Sequence, residues 1–397
     1  MKILVIGTNR GGHFRLIANG HELTLLGIMP FGVAGDFRSG YKNLAYLDEK
    51  AGEEQFRAMA RALHAGNQFE LVHSFIDGYQ CLAADIAAEL GIACRHRKDA
   101  TRTTLDKART RDVTRAAGLS RLDYHRADDA AQLRDILAQA RFPVIAKPLE
   151  GTASKNVFKL ASRESVPPEL FACLPMIVES FIDGAEYSVE SFSEDGRHRV
   201  LAITEKFKTA HNFVEIGHLV PARVDADLAQ RIATFTEQVL DAVGITDGPG
   251  HTEVMVAADA SIELIETHTR TGGDEIPNLV RLACGVDLYD LEARQITGER
   301  VLPSIAEPLR CTRNAAIWYL TPDEAQPRTL VEIEGAAEAA AQPSVSSVKV
   351  EKLPGATVHT LGHSFDRGAH VIAVDDSGDG ALAAARAAVS KLRYRFE

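Results

Sequence analysis

The stretch that most constrains the fold runs over residues 250–273 and reads GHTEVMVAADASIELIETHTRTGG. Polar and apolar residues alternate through it, as on a β-strand with one buried face. Counting in twos from Ile262, the apolar face passes into three polar residues, which are Glu266, His268 and Arg270. A strand face that begins as core therefore ends as carboxylate, imidazole and guanidinium, which predicts a β-hairpin with a functional site at one end.

The register of this hairpin predicts a pair of carboxylates. A turn centred between Asp259 and Ala260 places Glu253 opposite Glu266. Opposed side chains have Cβ atoms about 4.5–5.5 Å apart, so the two carboxylates repel unless a cation lies between them. Mg²⁺ takes oxygen ligands, and Arg270 could bind an anion carried by the metal. We therefore predict a metal–phosphate site, and the alternative is a solvated strand edge with chance charges.

Two lysines upstream also suit a phosphate site. Lys147 ends the short buried strand in FPVIAKP and precedes EGTASKN, a loop of small and hydroxyl residues. Backbone N–H groups in such a loop can approach phosphate oxygens closely. Lys107 lies at the start of a helix. Each lysine alone is more often a surface residue or a salt-bridge partner, but together they supply charge that neutralises phosphate.

The length and the order of elements predict an α/β (α+β) protein of several domains. A chain of 397 residues exceeds one compact core and suggests two to four domains. Residues 1–95 alternate strands such as KILVIG with helices such as QCLAADIAAELGI, which is a doubly wound pattern. The turn GTNRGG lacks the full G-x-G-x-x-G spacing, so a plain strand–helix turn is favoured over a dinucleotide site. A compositional shift at 303–345 indicates entry into a small C-terminal α/β unit.

Composition argues against nucleic acid and membrane as partners. The formal net charge of -11 disfavours a duplex-binding surface. The N-terminus MKILVIG is expected to form a first strand rather than a signal peptide, and no apolar run is long enough to span a bilayer. The five cysteines lack zinc or redox spacing, so we expect reduced thiols and a cytoplasmic protein. They are Cys81, Cys94, Cys173, Cys284 and Cys311.

Several motifs in order resemble those of the ATP-grasp carboxylate–amine ligases. The order is Lys107, Lys147-Pro148, the Gly/Ser loop, VESFIDGAEYSVE, HTEV and IETHTR. Within that superfamily HTEV, FVEIGHLVPA and TRTGGDEIPNLV look most like the L-amino-acid ligases, which join two amino acids into a dipeptide. The resemblance covers the whole chain and implies the ATP-grasp fold. It implies a Rossmann-like N-terminal domain over 1–100, a central nucleotide-binding region over 101–308 and a small C-terminal domain over 309–397.

The resemblance also implies ATP as a cosubstrate and roles for matching residues. Lys107 and Lys147 would bind ATP phosphates beneath the 150–156 loop, which contains Gly151 and Ser154. The backbone of the hinge would read adenine, and its residues are Glu179, Ser180, Phe181 and Ile182. Glu186 would hydrogen-bond the ribose hydroxyls.

The remaining implied roles concern metal and amino-acid substrates. Glu253 and Glu266 would bridge two Mg²⁺ ions, and Arg270 would hold the transferred phosphoryl group. Glu215 and His218 match a position close to the amino-acid substrates. A catalytic or amine-orienting role is implied there, and a hydrogen-bonded structural histidine is the alternative for His218.

Three positions depart from the family pattern. His268 stands where the family usually has Asn, and because imidazole is a poor Mg²⁺ ligand but a fair Mn²⁺ ligand, a metal role for His268 predicts better use of Mn²⁺. Asn156 stands where glycine is common, but asparagine tolerates positive φ. Asp274 occupies a position that is bulky and apolar in some amino-acid ligases. It either attracts a cationic or polar amino acid or caps the next helix.

The implied reaction has two steps. A substrate carboxylate attacks the γ-phosphorus of ATP to give an acyl phosphate and ADP, and an amine then displaces phosphate. The expected partners are small-molecule carboxylates and amines, specifically amino acids, and a homodimer is possible. Two alternatives stay open: a purine-pathway-type ligase acting on a phosphorylated amine, and a catalytically silent nucleotide-binding protein.

Overall fold

A parallel four-stranded sheet begins the chain, as the apolar run KILVIG requires. The structure, a computed structural model, describes residues 1–28, 39–151, 154–210 and 212–397. The strands are β1 (Lys2–Ile6), β2 (Glu22–Ile28), β3 (Asn43–Leu47) and β4 (Leu71–His73), in the order β3-β2-β1-β4. The helices between and after them are α1 (Arg10–Ala18), α2 (Glu53–Asn67) and α3 (Asp77–Leu90). Leu4 packs toward α2 and α3 while Val5 packs toward α1 on the opposite face, so both faces of β1 are buried.

The GTNRGG turn is a packed strand–helix turn. The Asn9 side chain accepts a hydrogen bond from the Gly12 amide and caps α1. A Cβ on Gly11 would lie 2.4 Å from the Tyr289 ring, and one on Gly12 would lie 2.3 Å from the Phe75 ring. Close ring packing therefore accounts for both glycines.

Two helices and a small antiparallel sheet follow. The helices are α4 (Lys98–Leu105) and α5 (Lys107–Ala116), and α6 (Ala130–Gln139) lies farther along. The strands are β5 (Tyr124–Ala127), β6 (Val144–Pro148), β7 (Phe158–Leu160) and β8 (Met176–Ser180), in the order β5-β8-β6-β7. Leu133 and Leu137 of α6 pack against Ala146 and Val178 of this sheet, which leaves its other face for the site described below.

An antiparallel eight-stranded sheet carries most of the site. Its strands are β9 (Gly184–Glu194), β10 (Arg197–Lys208), β11 (Glu215–Val220), β12 (Gly248–Ala257), β13 (Ile262–His268), β14 (Asn314–Leu320), β16 (Val345–Val350) and β18 (Ala369–Asp375). They run in the order β13-β12-β9-β10-β11-β14-β18-β16. Three helices belong to the same part of the chain: α7 (Ala226–Val243), α8 (Ile276–Cys284) and α9 (Leu288–Ile296). The α9 helix packs on the N-terminal sheet beside α1.

The C-terminal elements extend this sheet and add a smaller one. Strands β15 (Arg328–Glu334), β17 (Thr357–Val358) and β19 (Arg393–Phe396) form a three-stranded sheet, accompanied by α10 (Ala336–Ala340) and α11 (Gly378–Val389). Because β11 pairs with β14, the large sheet runs across residue 308. The division at 100 and 308 stays a prediction, and the sheet itself continues past residue 308. Within the described residues, no helix is long and apolar enough to cross a membrane.

The prediction of reduced thiols is wrong for one pair of cysteines. Cys284, at the end of α8, and Cys311, before β14, form a disulfide. Cys81, Cys94 and Cys173 are free. The two bonded cysteines are 27 residues apart in sequence, and no short spacing motif signals a pair that only the packing of α8 brings together.

Candidate active site

One cavity of about 380 Å³ collects the predicted site residues between the small antiparallel sheet and the eight-stranded sheet. That volume falls in the range of small-molecule sites. Of the predicted residues, only His268 is not on its wall. Those that line it are Lys107, Lys147, Gly151, Ser154, Glu179, Ser180, Phe181, Ile182, Glu186, Glu215, His218, Glu253, Glu266 and Arg270.

A buried ion cluster forms the wall at the end of β6. Lys147 Nζ lies 2.5 Å from Glu179 Oε1, and Arg111 Nε lies 3.0 Å from Glu179 Oε2. Burial raises the pKa of Glu179, but Arg111 and Lys147 outweigh it and lower that pKa to about 2. The Glu179 side chain is therefore the counterion of Lys147. Lys107 Nζ donates to the Gly151 carbonyl at 3.3 Å, so both predicted phosphate lysines lie at this end.

The predicted adenine hinge follows β8. The amide of Ser180 donates to Asp123 O at 3.0 Å, and that of Phe181 donates to Pro143 O at 3.1 Å. Lys159 Nζ lies 3.6 Å from the centroid of the Phe181 ring. Since two of the hinge amides are already used, an adenine contact would rest on the carbonyl groups and on Ile182.

Of the 150–156 loop, Ser154 contacts the segment that precedes β11. Residues 152 and 153 of the loop lie outside the described residues. Ser154 Oγ donates to the Phe213 carbonyl at 3.4 Å, and both residues line the cavity. Asn156 has φ of 60°, which confirms that asparagine takes up the left-handed turn at this position.

Lys206 is the central cation of the site, and sequence reasoning missed it. Its side chain is 2% exposed, and Nζ lies 2.5 Å from Glu253, 2.8 Å from Glu186 and 3.2 Å from Glu215. Lys208 also pairs with Glu186. Burial lowers the pKa of Lys206, but the three carboxylates raise it well above its usual range. The alternating charges of TEKFK gave no signal that one lysine faces inward.

The carboxylate pair of the hairpin is confirmed, with a correction to its register. Glu253 lies opposite Glu266, but the register shifts at the next residue, so Val254 opposes Leu264. Lys107 Nζ lies 3.4 Å from Glu266 Oε2. Burial raises the pKa of Glu266, yet Lys107 and other cations nearby lower it well below its usual range. Lysines therefore already offset part of the repulsion that the sequence argument assigned to metal alone.

A histidine lies two residues from each of these glutamates. His251 Nδ1 is 2.7 Å from Glu190 Oε1, and His251 Nε2 is 3.3 Å from Glu253 Oε1. Burial lowers the pKa of His251, but Glu190 and Glu253 raise it to about 9, so this imidazole is a cation near neutral pH. His251 and His268 are cross-strand partners, with ring centroids 6.2 Å apart.

His268 lies directly behind the cavity wall. Its Nδ1 is 2.9 Å from Asp77 Oδ2. Its Nε2 is 3.2 Å from Glu266 Oε1, but this buried nitrogen has no hydrogen-bond partner among the described residues. Arg270 Nε donates to the same Asp77 oxygen at 3.0 Å. Sequence reasoning did not connect Asp77 with the hairpin.

The other end of the cavity is closed by the C-terminal part of the chain. Arg367 donates to both oxygens of Asp274, at 2.8 and 2.5 Å, and His218 Nε2 lies 3.2 Å from Asp274 Oδ2. Burial raises the pKa of Asp274, but Arg367 and His218 lower it far below its usual range. The capping alternative is wrong, because Glu275 is the N-cap residue of α8 and no side chain caps that helix. The charge of Asp274 is already balanced by Arg367.

Glu215 is held between two partners at this end. Its Oε1 lies 3.2 Å from Lys206 Nζ, and its Oε2 accepts a hydrogen bond from Ser364 Oγ at 3.1 Å. His218 differs, because its Nδ1 is buried without a hydrogen-bond partner. Of Glu215 and His218, His218 is therefore the one with a side-chain atom that has no hydrogen-bond partner among the described residues.

The acidic side chains present fit a divalent cation. Within the described part of the chain, Glu186, Glu215 and Glu253 each offer an oxygen, and these oxygens lie within 4.8 Å of one another, although the Lys206 ammonium now pairs with all three. The predicted set of Glu253, Glu266 and His268 lies on two paired strands and includes the unpartnered Nε2. Oxygen ligands suit Mg²⁺, and a mixed nitrogen and oxygen set also suits Mn²⁺.

Comparison with known families agrees with this fold and site. Residues 164–278 match the model of an ATP-grasp domain, and the chain is an ATP-grasp ligase by class. Residues 320–397 match L-amino acid ligase C-terminal domain 2. The predicted superfamily and its L-amino-acid ligase likeness are therefore confirmed, as is the α/β fold class.

Individual relatives support the same assignment. The crystal structure of L-amino acid ligase from Bacillus licheniformis covers 100% of this chain and 98% of its own, with a TM-score of 0.87 and 20% identity, a level that shows the fold alone. The uncharacterized protein y4rH of Sinorhizobium fredii is 28% identical over 83% of this chain and 70% of that protein. D-alanine–D-alanine ligase of Haemophilus ducreyi is 28% identical over 44% of this chain and 60% of the ligase. ATP and divalent metal ions are used generally by ATP-grasp proteins.

Proposed function

We propose that the protein is an ADP-forming ligase that joins the carboxylate of one amino acid to the amine of another. The observation that carries this proposal is one continuous cavity, which runs from the lysines beside the 150–156 loop to Arg367 of the C-terminal part. One end suits a triphosphate and the other suits small polar substrates. The names of the relatives, an L-amino acid ligase and a D-alanine–D-alanine ligase, point to the same class of substrates.

ATP would bind with its phosphates toward Lys107 and Lys147. Both lysines lie at the same end of the cavity, and each has a buried or half-buried carboxylate partner from which it can turn to a phosphate. Glu253 and Glu266, with His268, would hold Mg²⁺ or Mn²⁺. The bound metal would neutralise charge on the phosphate oxygens. Glu186 would hydrogen-bond the ribose hydroxyls once it gives up its ion pair with Lys206 or Lys208.

In the first step a substrate carboxylate attacks the γ-phosphorus and ADP leaves. Two anions must meet for this step, so fixed cations that face them lower the barrier. Arg270 is held by Asp77 through Nε and donates to the Thr271 carbonyl through Nη1. Its Nη2 stays available for the transferred phosphoryl oxygens, which is the role we assign to it.

In the second step the neutral amine attacks the acyl carbon and phosphate leaves. The amine must lose a proton, so a base close to it is required. We assign this role to His218, because Asp274 holds Nε2 and leaves Nδ1 as the acceptor. Glu215 is less suited as the base, because Lys206 and Ser364 occupy its oxygens. We assign it instead to orienting the amine.

The test is phosphate release from ATP with every pair of common amino acids, followed by mass spectrometry of the active wells. A pair-dependent signal with the mass of a dipeptide is the expected result. Arg270→Met should abolish the signal and Arg270→Lys should retain part of it, since a lysine keeps the charge but loses the fork of donors. Release with a phosphorylated amine instead would favour the purine-pathway-type ligase. ATP binding with no release from any pair would favour a silent binder. A homodimer and a cytoplasmic location stay predictions.

A further inference from the structure

Asp77 connects the N-terminal sheet to the hairpin that carries the site. It lies in the first turn of α3, and its side chain is 9% exposed. One oxygen, Oδ2, receives both His268 Nδ1 at 2.9 Å and Arg270 Nε at 3.0 Å. A single carboxylate thus fixes the ring plane of one candidate metal ligand and the direction of the phosphoryl-binding guanidinium.

A second side chain of α3 holds the residue between them. Gln80 Nε2 donates to the Thr269 carbonyl at 2.6 Å, and Thr269 Oγ1 donates to Gln80 Oε1 at 2.5 Å. The strand end 268–270 is therefore held by one face of α3 over three consecutive residues. Neither Asp77 nor Gln80 lines the cavity, so both act on substrates only through the hairpin.

The hydrogen bond to Asp77 decides which nitrogen of His268 is free. An ionised carboxylate only accepts hydrogen bonds, so Nδ1 carries the proton. The other nitrogen, Nε2, is buried, has no hydrogen-bond partner and faces Glu266 at 3.2 Å. Histidines that bind metals are oriented by a carboxylate on their other nitrogen in the same way.

The opposite strand supplies an internal comparison. His251 is oriented by Glu190 just as His268 is oriented by Asp77. However, His251 Nε2 is hydrogen-bonded to Glu253 and so is already engaged. The two rings are cross-strand partners, yet only His268 has an unpartnered nitrogen on the side of the glutamates.

We propose that Asp77 is a positioning residue that sets His268 Nε2 as a nitrogen ligand of the divalent cation and aims Arg270 at the transferred phosphoryl group. This inference rests on the proposed function, because it deepens the metal and phosphate site of the same ligase. It implies that the docking of α3 on the hairpin completes the metal site. It also implies a mixed nitrogen and oxygen site that binds Mn²⁺ better than an all-oxygen site would.

The experiment uses the full chain with Mn²⁺ and ADP, without amino acids, so that no turnover is needed. Pulsed electron paramagnetic resonance detects nitrogen-14 coupled to Mn²⁺. We expect a coupling in the wild type that His268→Asn removes and the matched variant His251→Asn keeps. Asp77→Leu should weaken Mn²⁺ binding about 10–100-fold and reduce the coupling, and Asp77→Glu should restore part of both. Glu190→Gln, the matched change on the opposite strand, should keep the coupling.

Each outcome separates this inference from the ligase itself. Mn²⁺ bound with ADP but without nitrogen coupling would overturn ligation by His268 and leave the ligase proposal intact. Coupling and affinity that survive in Asp77→Leu would overturn the positioning role. If Asp77→Leu fails to bind ADP, Asp77→Asn gives the decisive measurement, because a neutral amide holds the Nδ1 proton and the Arg270 guanidinium less strongly than a carboxylate does, so both the coupling and the Mn²⁺ affinity should still fall. Unchanged coupling and Mn²⁺ affinity there would also overturn the role. If the wild type binds neither ADP nor Mn²⁺, both proposals are refuted.

Discussion

Removing Lys206 should turn a balanced ion cluster into a repulsive one. Its ammonium lies 2.5, 2.8 and 3.2 Å from three carboxylates, in a side chain that is 2% exposed. At an effective dielectric constant of about 20, each contact is worth about 5–7 kcal/mol of Coulomb energy. Desolvation of the lysine offsets most of that sum, and breaking a buried ion pair costs about 3–5 kcal/mol net. For a chain of 397 residues we therefore expect Lys206→Met to lower the melting temperature by roughly 4–6 °C.

The same variant should gain a dependence on metal and on pH. The three carboxylate oxygens lie within 4.8 Å of one another, so without the ammonium they form a stronger site for Mg²⁺. Mg²⁺ at about 100 times its Kd would restore about 2.7 kcal/mol. Without Lys206 the three carboxylates repel one another when they are ionised. The destabilisation should therefore grow as the pH rises and they ionise, and it should shrink in mild acid.

The assay is thermal melting without nucleotide, in chelator and in excess Mg²⁺, over a series of pH values. Lys208→Met is the matched control, because Lys208 pairs with Glu186 alone among these carboxylates and its side chain is 18% exposed. That partly exposed pair should be worth only about 1 kcal/mol. Equal small losses in both variants, with no stabilisation by Mg²⁺ in either, would refute the account of Lys206.

Three further predictions concern other charged groups. Burial raises the pKa of Glu292, which lies 3.1 Å from His73, to about 8. The carboxyl group therefore holds its proton more tightly in the folded protein than in the unfolded chain. Its contribution to stability falls as the pH rises from about 4.5 to about 8. Glu292→Gln should flatten that fall in a melting series, and an unchanged slope would contradict it. Arg367→Met leaves Asp274 partly buried without its guanidinium. It should cost about 2–4 kcal/mol in urea unfolding, part of which Asp274→Asn restores in the double variant; simple additivity of the two changes would argue against the pair. Despite burial, two cations lower the pKa of Glu179 to about 2, so its contribution is present above about pH 4.5 and is lost as the pH falls toward 2. Glu179→Gln should show a flatter acid limb, and acid unfolding like that of the wild type would count against this assignment.

The parts of the site that follow from local sequence could be predicted. Glu253 and Glu266 pair as predicted, but the turn is centred on Asp259 rather than between Asp259 and Ala260, and the register shift after Glu253 restores the predicted pairing. Lys147 falls at a strand end because a proline and a run of small residues follow the apolar stretch. The register shift after Glu253 was missed, since one extra residue in a strand leaves no mark on the alternation.

The parts that depend on distant packing could not be predicted. Asp77 meets Arg270 across 193 residues, and Arg367 meets Asp274 across 93. Lys206 looks like any charge on an alternating strand until three glutamates from other strands surround it. For the same reason Cys284 and Cys311 showed no sign of pairing. In each case the sequence contains the residue, and only the arrangement of the two sheets supplies its partner.

The pairing of β11 with β14 has a consequence for synthesis on the ribosome. Val220 pairs with Ala315, so β11, which pairs with β10 on one side, acquires its second neighbour only after about 95 more residues have been made. Until then the emerging chain carries a bare strand edge, and such edges invite pairing with other chains. Contacts so distant in sequence also form late and slowly during folding. We expect nascent chains that stop near residue 308 to need a chaperone, and a separately made fragment that begins before β14 to rescue them by filling the empty edge.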